Sequence, residues 1–141
     1  MPEKVFKTQL RIKFRDADPV KIMYFANIFD YAHDIFEEFI LEAGFSWLDW
    51  FGSPDLGTPF RHVESEFFAP LLPGQTYEVS VIIPKLGESS FQTEYTFHQK
   101  SHVHAKVRMT HVFVDLKTQT KVKMPEAIKQ KLVKYFHPVK N

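Results

Sequence analysis

Two aspartates, Asp16 and Asp18, lie in the stretch F-R-D-A-D-P-V-K-I-M-Y-F-A-N and are the residues best suited to chemistry. Pro19 disfavours helical backbone angles in the residue before it, so the stretch predicts a loop. The segment after the loop predicts a long helix, whose first N–H groups have no intrahelical acceptors. A carboxylate beside such groups combines an attacking oxygen or a base with donors that polarise a carbonyl. The sequence therefore concentrates its possible chemistry in this loop.

Each aspartate also has a purely structural interpretation. An aspartate that precedes a proline is in most proteins a turn residue, and this alternative applies to Asp18. Asp16, at the end of a strand pattern, is more typical of a turn or capping carboxylate. If both carboxylates lie on one side of the loop, their repulsion raises the pKa of one of them.

The predicted helix follows from the spacing of its apolar residues. Ile28, Ala32, Ile35 and Phe39 fall on one stripe, and acidic residues occupy the opposite side. We expect Asn27 to be the N-cap and Gly44 to occupy the C′ position. About seventeen residues give a rod of about 26 Å, which is long enough to cross one face of a sheet.

The remaining patterns predict five strands and two short helices in one domain spanning residues 1–141. The strands cover Val5–Phe14, Phe60–Ala69, Thr76–Ile83, Phe91–His98 and a run from Val103 to Asp115. Ser46 is predicted to cap a lid-like turn that carries Trp47, and Pro125 is predicted to begin a C-terminal helix. One long helix against a curved antiparallel sheet is an α+β architecture. The edge strands and the fifteen phenylalanines lead us to expect a second copy that completes the sheet.

Composition excludes several classes of function. The 141 residues include no cysteine, which excludes disulfides, thiolate nucleophiles and Cys-ligated zinc. A net charge of +1 and a sequence pI of about 8.0 do not predict a nucleic-acid partner. No apolar leader or membrane-length run is present, so we expect a cytoplasmic protein. His102 and His104 could form half of a metal site, but a solvated strand face is the favoured interpretation, and no metal or cofactor is predicted.

The loop string D-A-D-P-V-K-I-M-Y-F-A-N, followed by a helix that ends in glycine, resembles the 4-hydroxybenzoyl-CoA thioesterase family of hotdog-fold proteins. The strings V-E-S-E-F-F-A-P-L-L-P-G-Q-T-Y-E-V and H-V-F-V-D-L-K-T are similar to strands of the same family. The resemblance covers nearly the whole chain. It implies a hotdog fold, acyl-CoA as the partner, and a homodimer or homotetramer.

The resemblance also implies roles for particular residues. Asp18 matches the catalytic second aspartate of the family's D-x-D loop. Phe25 matches the residue whose backbone N–H polarises the thioester carbonyl. The candidate substrate-binding residues are Tyr24, Lys21, Lys85 and Ser90. The sequence departs from the family's pattern at two places. Lys21 replaces a usual glycine of the loop, and Gly87 and Glu88 stand where the family has basic residues.

Hydrolysis of an acyl-CoA thioester with an aryl, short or medium acyl group is the predicted function. A thiolate has a pKa of about 8.5 and leaves without a strong general acid, so an attacking oxygen and an oxyanion site suffice. The sequence leaves open whether Asp18 attacks directly or activates water. The alternative is a non-catalytic protein that binds acyl-CoA or an acyl-carrier protein. A hotdog hydratase is disfavoured because His33, the first histidine of the helix, lies on its polar side.

Overall fold

A computed structural model describes residues 4–138 of the chain. The helices are α1 (Ile28–Glu42), α2 (Trp47–Phe51) and α3 (Glu126–Leu132). The long strands are β1 (Phe6–Arg11), β3 (Phe60–Phe67), β4 (Thr76–Leu86), β5 (Ser90–Gln99) and β6 (His102–Val112), and the two-residue strands are β2 (Leu56–Gly57), β7 (Val114–Asp115) and β8 (Thr120–Lys121).

The long strands form one antiparallel sheet in the order β1-β4-β5-β6-β3. The short strands form a second sheet in the order β2-β7-β8, which the sequence patterns did not predict. Helix α1 packs on one face of the large sheet. Because helix and sheet bury their apolar faces against one another, the predicted α+β architecture is confirmed.

The core contains the apolar stripe of α1. Ile28, Ala32, Ile35 and Phe39 are at most 1% exposed, as their spacing predicted. They share one cluster with inward-facing residues of three strands, which include Val79, Val81, Tyr95, Phe97, Ala105 and Val107. This burial fixes which face of α1 meets the sheet, and it thereby fixes the direction of the helix start.

The first strand is shorter than predicted. It ends at Arg11, and Phe14 begins a 3-10 turn that runs to Asp16. The two-residue alternation from Val5 to Phe14 places Phe14 on the same apolar face as Phe6, which predicts burial, but the Phe14 side chain is 86% exposed. The prediction was wrong there because a 3-10 turn replaces the two-residue alternation of a strand with a three-residue repeat.

The N-cap prediction for Asn27 was also wrong. Asn27 has helical angles and makes no capping bond, because a 3-10 turn over Phe25–Asn27 precedes α1, and Tyr24 is the extended residue before that turn. At the other end, Gly44 has a φ of +102° and its N–H donates to the Leu41 carbonyl. A left-handed glycine at this position is the predicted C′ arrangement.

Both short helices occur where they were expected. Ser46 caps α2, because its Oγ accepts a hydrogen bond of 3.0 Å from the Asp49 N–H. Pro125 is the residue before α3 and not its first residue, a shift of one position. The spacing of Ile128, Leu132, Val133 and Phe136 predicts an apolar stripe for this C-terminal segment. That prediction was wrong at Val133, which is 43% exposed, whereas Tyr135 is buried in the turn after α3. The switch to 3-10 geometry after Leu132 rotates the later side chains.

Candidate active site

The loop between the first strand and α1 closes on itself. Ala17 and Met23 form an antiparallel bridge. Inside it, the Asp18 N–H donates to the Ile22 carbonyl at 2.9 Å, and the Lys21 N–H donates to the Asp18 carbonyl at 2.9 Å. These bonds hold Asp18 at one corner of a tight turn.

The Asp18 carboxylate has one engaged and one free oxygen. Its Oδ1 accepts a hydrogen bond of 2.9 Å from the Val20 N–H, and the side chain is half-buried. Within residues 4–138, no protein group donates to Oδ2. The residue lines an open cavity of about 600 Å³ together with Phe14, Arg15 and Lys21. Asp18 therefore makes a turn bond and still presents an oxygen that can act on a ligand.

Lys21 adopts a backbone conformation that favours glycine. Its φ is +66°, in the left-handed region where a Cβ atom is strained by about 1 kcal/mol or more. The resemblance had placed a glycine at this position, and a φ of +66° is one that glycine adopts without steric cost. Lys21 also lines the same cavity as Asp18.

Asp16 has a different role from Asp18, because it connects the loop to α1. Its Oδ2 accepts a hydrogen bond of 2.5 Å from the Tyr31 hydroxyl. Its main-chain oxygen accepts bonds from the Tyr24 N–H at 2.8 Å and from Nδ2 of Asn27 at 3.0 Å. Asp16 was expected to be a turn or capping carboxylate, and its contacts are structural.

The start of the helical segment presents free donors. Phe25 and Ala26 open the 3-10 turn, so their N–H groups have no intrahelical acceptor, and neither donates to another main-chain group in the described part of the chain. The Phe25 side chain is 60% exposed and lines an apolar cavity of about 320 Å³ with Met23, Phe67 and Phe68. Tyr24 is also exposed, at 47%.

Asp18 lies inside the closed loop and Phe25 follows the loop in the chain, but the two residues line different cavities. Asp18 belongs to the cavity beside Phe14, and Phe25 to the cavity beside Phe68. The hydrogen bond from the Tyr24 N–H to the Asp16 carbonyl closes the loop that contains Asp18, and Phe25 follows Tyr24 directly in the chain. One chain thus provides a carboxylate inside the closed loop and a free N–H immediately after it.

Lys85 and Ser90 lie together, but not near Asp18. Both line a cavity of about 420 Å³, where Arg61 is a second cation. The Asp18 loop adjoins the beginning of β4, because the main chain of Ile12 pairs with Gln75 and Gly74. Lys85 lies near the opposite end of that strand, nine residues beyond Thr76, or about 30 Å at 3.3 Å per residue. A single chain does not bring the predicted substrate-binding residues to one place.

Sequence reasoning missed three residues of these sites. Tyr31 and Asn27 hold the loop through Asp16, and Arg61 joins the Lys85 cavity. A signal for Tyr31 did exist, since a tyrosine beside the apolar stripe of a helix buries its hydroxyl and needs a partner. Nothing in the sequence indicated that Asn27 would bond to the loop and not to its own helix.

The histidines do not form a metal centre in the part of the chain that the structure describes, where no three metal-ligating side chains are grouped. The Nδ1 atom of His104 lies 3.0 Å from the Pro70 carbonyl, and His102 is exposed. His111 is fully buried, as expected for a core histidine, and its Nε2 lies 3.1 Å from the Thr93 hydroxyl. The alternation that places His111 on the same face as Met109 and Phe113 predicts a satisfied core or interface histidine. Its burial agrees with this prediction, but within residues 4–138 its Nδ1 has no hydrogen-bond partner.

A long helix that packs on a five-stranded antiparallel sheet, with a short C-terminal helix, is the architecture predicted for a hotdog fold. The family model described as the thioesterase-like superfamily matches residues 12–132, and the chain therefore belongs to this superfamily. The predicted family resemblance, hotdog fold and enzyme class are confirmed.

Curated relatives and solved structures agree with this assignment. The chain is 29% identical to a 1,4-dihydroxy-2-naphthoyl-CoA hydrolase of Nostoc punctiforme over 119 residues, which is 84% of this chain and 80% of the relative. A crystal structure from Prochlorococcus marinus superposes with a TM-score of 0.85 at 24% identity, covering 92% of this chain and 94% of that one. A 1,4-dihydroxy-2-naphthoyl-CoA thioesterase from Synechocystis gives a TM-score of 0.84 at 21% identity, covering 96% of this chain and all of that one. No helix within residues 4–138 is long and apolar enough to cross a membrane.

Proposed function

We propose that this protein hydrolyses an acyl-CoA thioester to the free acid and coenzyme A, with Asp18 as the reacting carboxylate and the Phe25 N–H as the oxyanion donor. One observation carries the assignment. The Asp16 carbonyl accepts a hydrogen bond from the Tyr24 N–H, so the Phe25 N–H is the first free donor of the helical segment. A short loop separates Phe25 from Asp18, which carries the free carboxylate oxygen.

The chemistry requires little else. A carboxylate oxygen of Asp18 attacks the thioester carbon, or it removes a proton from a water molecule that attacks instead. Negative charge develops on the carbonyl oxygen, where the Phe25 N–H and the positive end of the helix stabilise it. The C–S bond then breaks and the thiolate leaves. In the first route an acyl-aspartyl anhydride remains and is hydrolysed by water, and both routes stay open.

An aryl acyl group is the favoured substrate class. Aromatic side chains line both cavities, with Phe14 beside Asp18 and Phe67 and Phe68 beside Phe25. Flat rings pack against aromatic rings in offset or edge-on geometry, and they do so with little loss of conformational entropy. The curated relatives are named as hydrolases of an aromatic acyl-CoA, which supports the same class. Short and medium acyl chains are the alternative.

A second copy of the chain would complete the site. Strand β3 is an edge of the sheet, and its inward-facing residues Val63 and Phe67 are each 41% exposed. The other edge, β1, presents Lys7, Gln9 and Arg11, which protect against strand addition. An uncovered apolar edge favours pairing through β3, and a homotetramer is the alternative assembly.

Twofold pairing would also account for the position of Lys85 and Ser90. If β3 pairs with its copy in antiparallel orientation, opposite ends of the two sheets lie side by side. The cavity that contains Lys85, Ser90 and Arg61 in one copy would then approach the Asp18 loop of the other. Two cations and a hydroxyl group suit the phosphates of coenzyme A.

The alternative function is binding of acyl-CoA or of an acyl-carrier protein without turnover. The observation that favours it is Lys21, which stands at the family's usual glycine position in the loop and lines the same cavity as Asp18. Tight binding of an intact thioester would distinguish this protein from a hydrolase.

The test is the release of free thiol from a panel of aryl, short, medium and long acyl-CoAs. Wild type and Asp18→Asn are compared, with Asp34→Asn as a matched control, because Asp34 is an exposed carboxylate on α1. We expect preferential turnover of aryl-CoA by the wild type and by Asp34→Asn. We expect a loss of about 10²-fold or more in kcat for Asp18→Asn.

Two results would change the proposal. Full activity of Asp18→Asn would remove Asp18 from the mechanism. Absence of turnover in every variant, together with retained acyl-CoA in calorimetry, would replace the hydrolase with the binding protein.

A further inference from the structure

Asp16 is the residue at which the loop and the helix are joined. Its carboxylate contacts Tyr31, one turn into α1, and its carbonyl contacts Tyr24 and Asn27 at the beginning of the helical segment. The three bonds are 2.5, 2.8 and 3.0 Å long. One residue of the loop is thus held by the helix at two levels, which fixes its orientation as well as its position.

The Tyr31 hydroxyl is fully engaged in this junction. It donates to Asp16 and accepts a hydrogen bond of 2.8 Å from the Lys13 N–H, so it also holds the residue that precedes the 3-10 turn. Burial, and then the bond to Asp16, raise the pKa of Tyr31 to about 12. The hydroxyl therefore keeps its proton at neutral pH and acts as a permanent donor, not as an acid or base.

The proposed reacting groups are attached to both sides of this junction. Asp18 follows Asp16 by two residues, and Phe25 follows Tyr24 directly. Because the Asp16 carbonyl accepts a hydrogen bond from the Tyr24 N–H, the Phe25 N–H is the first free donor of the helical segment. Rotation of Asp16 would release the Tyr24 N–H and shift Asp18 at the same time.

We propose that Asp16, Asn27 and Tyr31 are positioning residues that set the geometry between the Asp18 carboxylate and the Phe25 N–H. The inference rests on the proposed function. The three residues act through Asp18 and Phe25. A displacement of reacting groups by about 1 Å costs about 10²-fold in rate, so such a junction affects kcat more than substrate binding.

The test compares Tyr31→Phe with Tyr95→Phe. Both changes remove one hydroxyl from a buried tyrosine, but the Tyr95 hydroxyl has no hydrogen-bond partner in the described chain. With the preferred acyl-CoA, well below the melting temperature of each variant, we expect Tyr31→Phe to lower kcat by about 10- to 100-fold while KM changes less than about twofold. We expect Tyr95→Phe to retain the wild-type kcat.

Amide hydrogen exchange gives a readout that does not need turnover. In Tyr31→Phe we expect the Tyr24 N–H to exchange at least about tenfold faster than in the wild type, and to be unchanged in Tyr95→Phe. An unchanged Tyr24 exchange rate, or an equal fall of kcat in both variants, would overturn the positioning role. A wild type without turnover would instead overturn the proposed function, while the exchange comparison would still support or overturn the junction.

Discussion

The imidazole of His111 lies parallel to the ring of Phe91, with centroids 4.5 Å apart and an interplanar angle of 5°. Phe36 stacks at the same centroid distance with an angle of 23°. This enclosure leaves no room for solvation of a charged ring. Burial, and to a smaller extent the charge of His33, lower the pKa of His111 from 6.5 to about 3.

Acid should therefore destabilise the fold through His111. In the unfolded chain this histidine takes up a proton near pH 6.5, whereas in the folded chain it does so only near pH 3. Its contribution to stability is complete above pH 6.5 and is lost as the pH falls through that window, by roughly 2–3 kcal/mol at pH 4.5. Urea unfolding at pH 7 and pH 4.5 measures the difference. His111→Phe should reduce the loss of unfolding free energy between pH 7 and pH 4.5, whereas the exposed His102→Gln should leave that loss unchanged. An equal loss in both variants would contradict the assignment to His111.

Replacing Lys21 with glycine should stabilise the protein. At a φ of +66°, removal of the Cβ atom relieves strain of about 1 kcal/mol. Lys21→Ala keeps the backbone strain but removes the ammonium group. Comparing Lys21→Gly with Lys21→Ala therefore separates the effect of the strain from the effect of the charge. We expect only Lys21→Gly to raise the free energy of unfolding, and both variants to raise KM for acyl-CoA if the cation contacts substrate. Gly74→Ala provides the reverse change, at a φ of +83° with no neighbour within 4 Å, and should destabilise by a similar amount.

Disruption of the β3 edge should separate two copies of the chain. Val63→Glu places a charge on the apolar edge, which cannot be buried against a partner without a large desolvation cost. Light scattering should change from a dimer in the wild type to a monomer in the variant, with loss of turnover because Lys85 of the second copy is absent. Leu48→Glu, at a position that is 72% exposed on α2, should leave the mass unchanged. A monomeric but active wild type would refute the shared site.

Removal of Arg108 should cost more than removal of an ordinary surface cation. Its Nη2 lies 3.1 Å from Oε1 of Glu94, whose side chain is only 7% exposed. Arg108→Met leaves that carboxylate buried without its partner and should lower the free energy of unfolding by about 3 kcal/mol. Glu94→Gln in the same chain should restore part of the loss. Lys117→Met is the control, since its ion pair with Asp55 is exposed on both sides and should cost less than about 1 kcal/mol.

The fold was largely predictable because its signals are local. The apolar stripe of α1 and the alternation along β4 each follow from a fixed repeat of side chains, and burial matched both. Along β5 the predicted alternation was not matched, because Gln92 and Glu94, on the face opposite to Phe91 and Tyr95, are also buried, at 8% and 6% exposed. Errors arose where the repeat changed without a compositional signal. The 3-10 turns that begin at Phe14 and at Phe25 keep apolar residues in sequence but rotate them away from the core.

The sequence by itself determined the α+β class, the loop with two aspartates and the helix that follows it, because these depend on residue types and short spacings. Only the tertiary structure decided that Asp16 is tied to Tyr31 while Asp18 keeps a free oxygen, since the two partners are 15 residues apart. The same holds for Lys85, which the resemblance grouped with Asp18 and the sheet places at its other end. Strand lengths and pairing order set such distances, and neither is encoded in the spacing of residues along the chain.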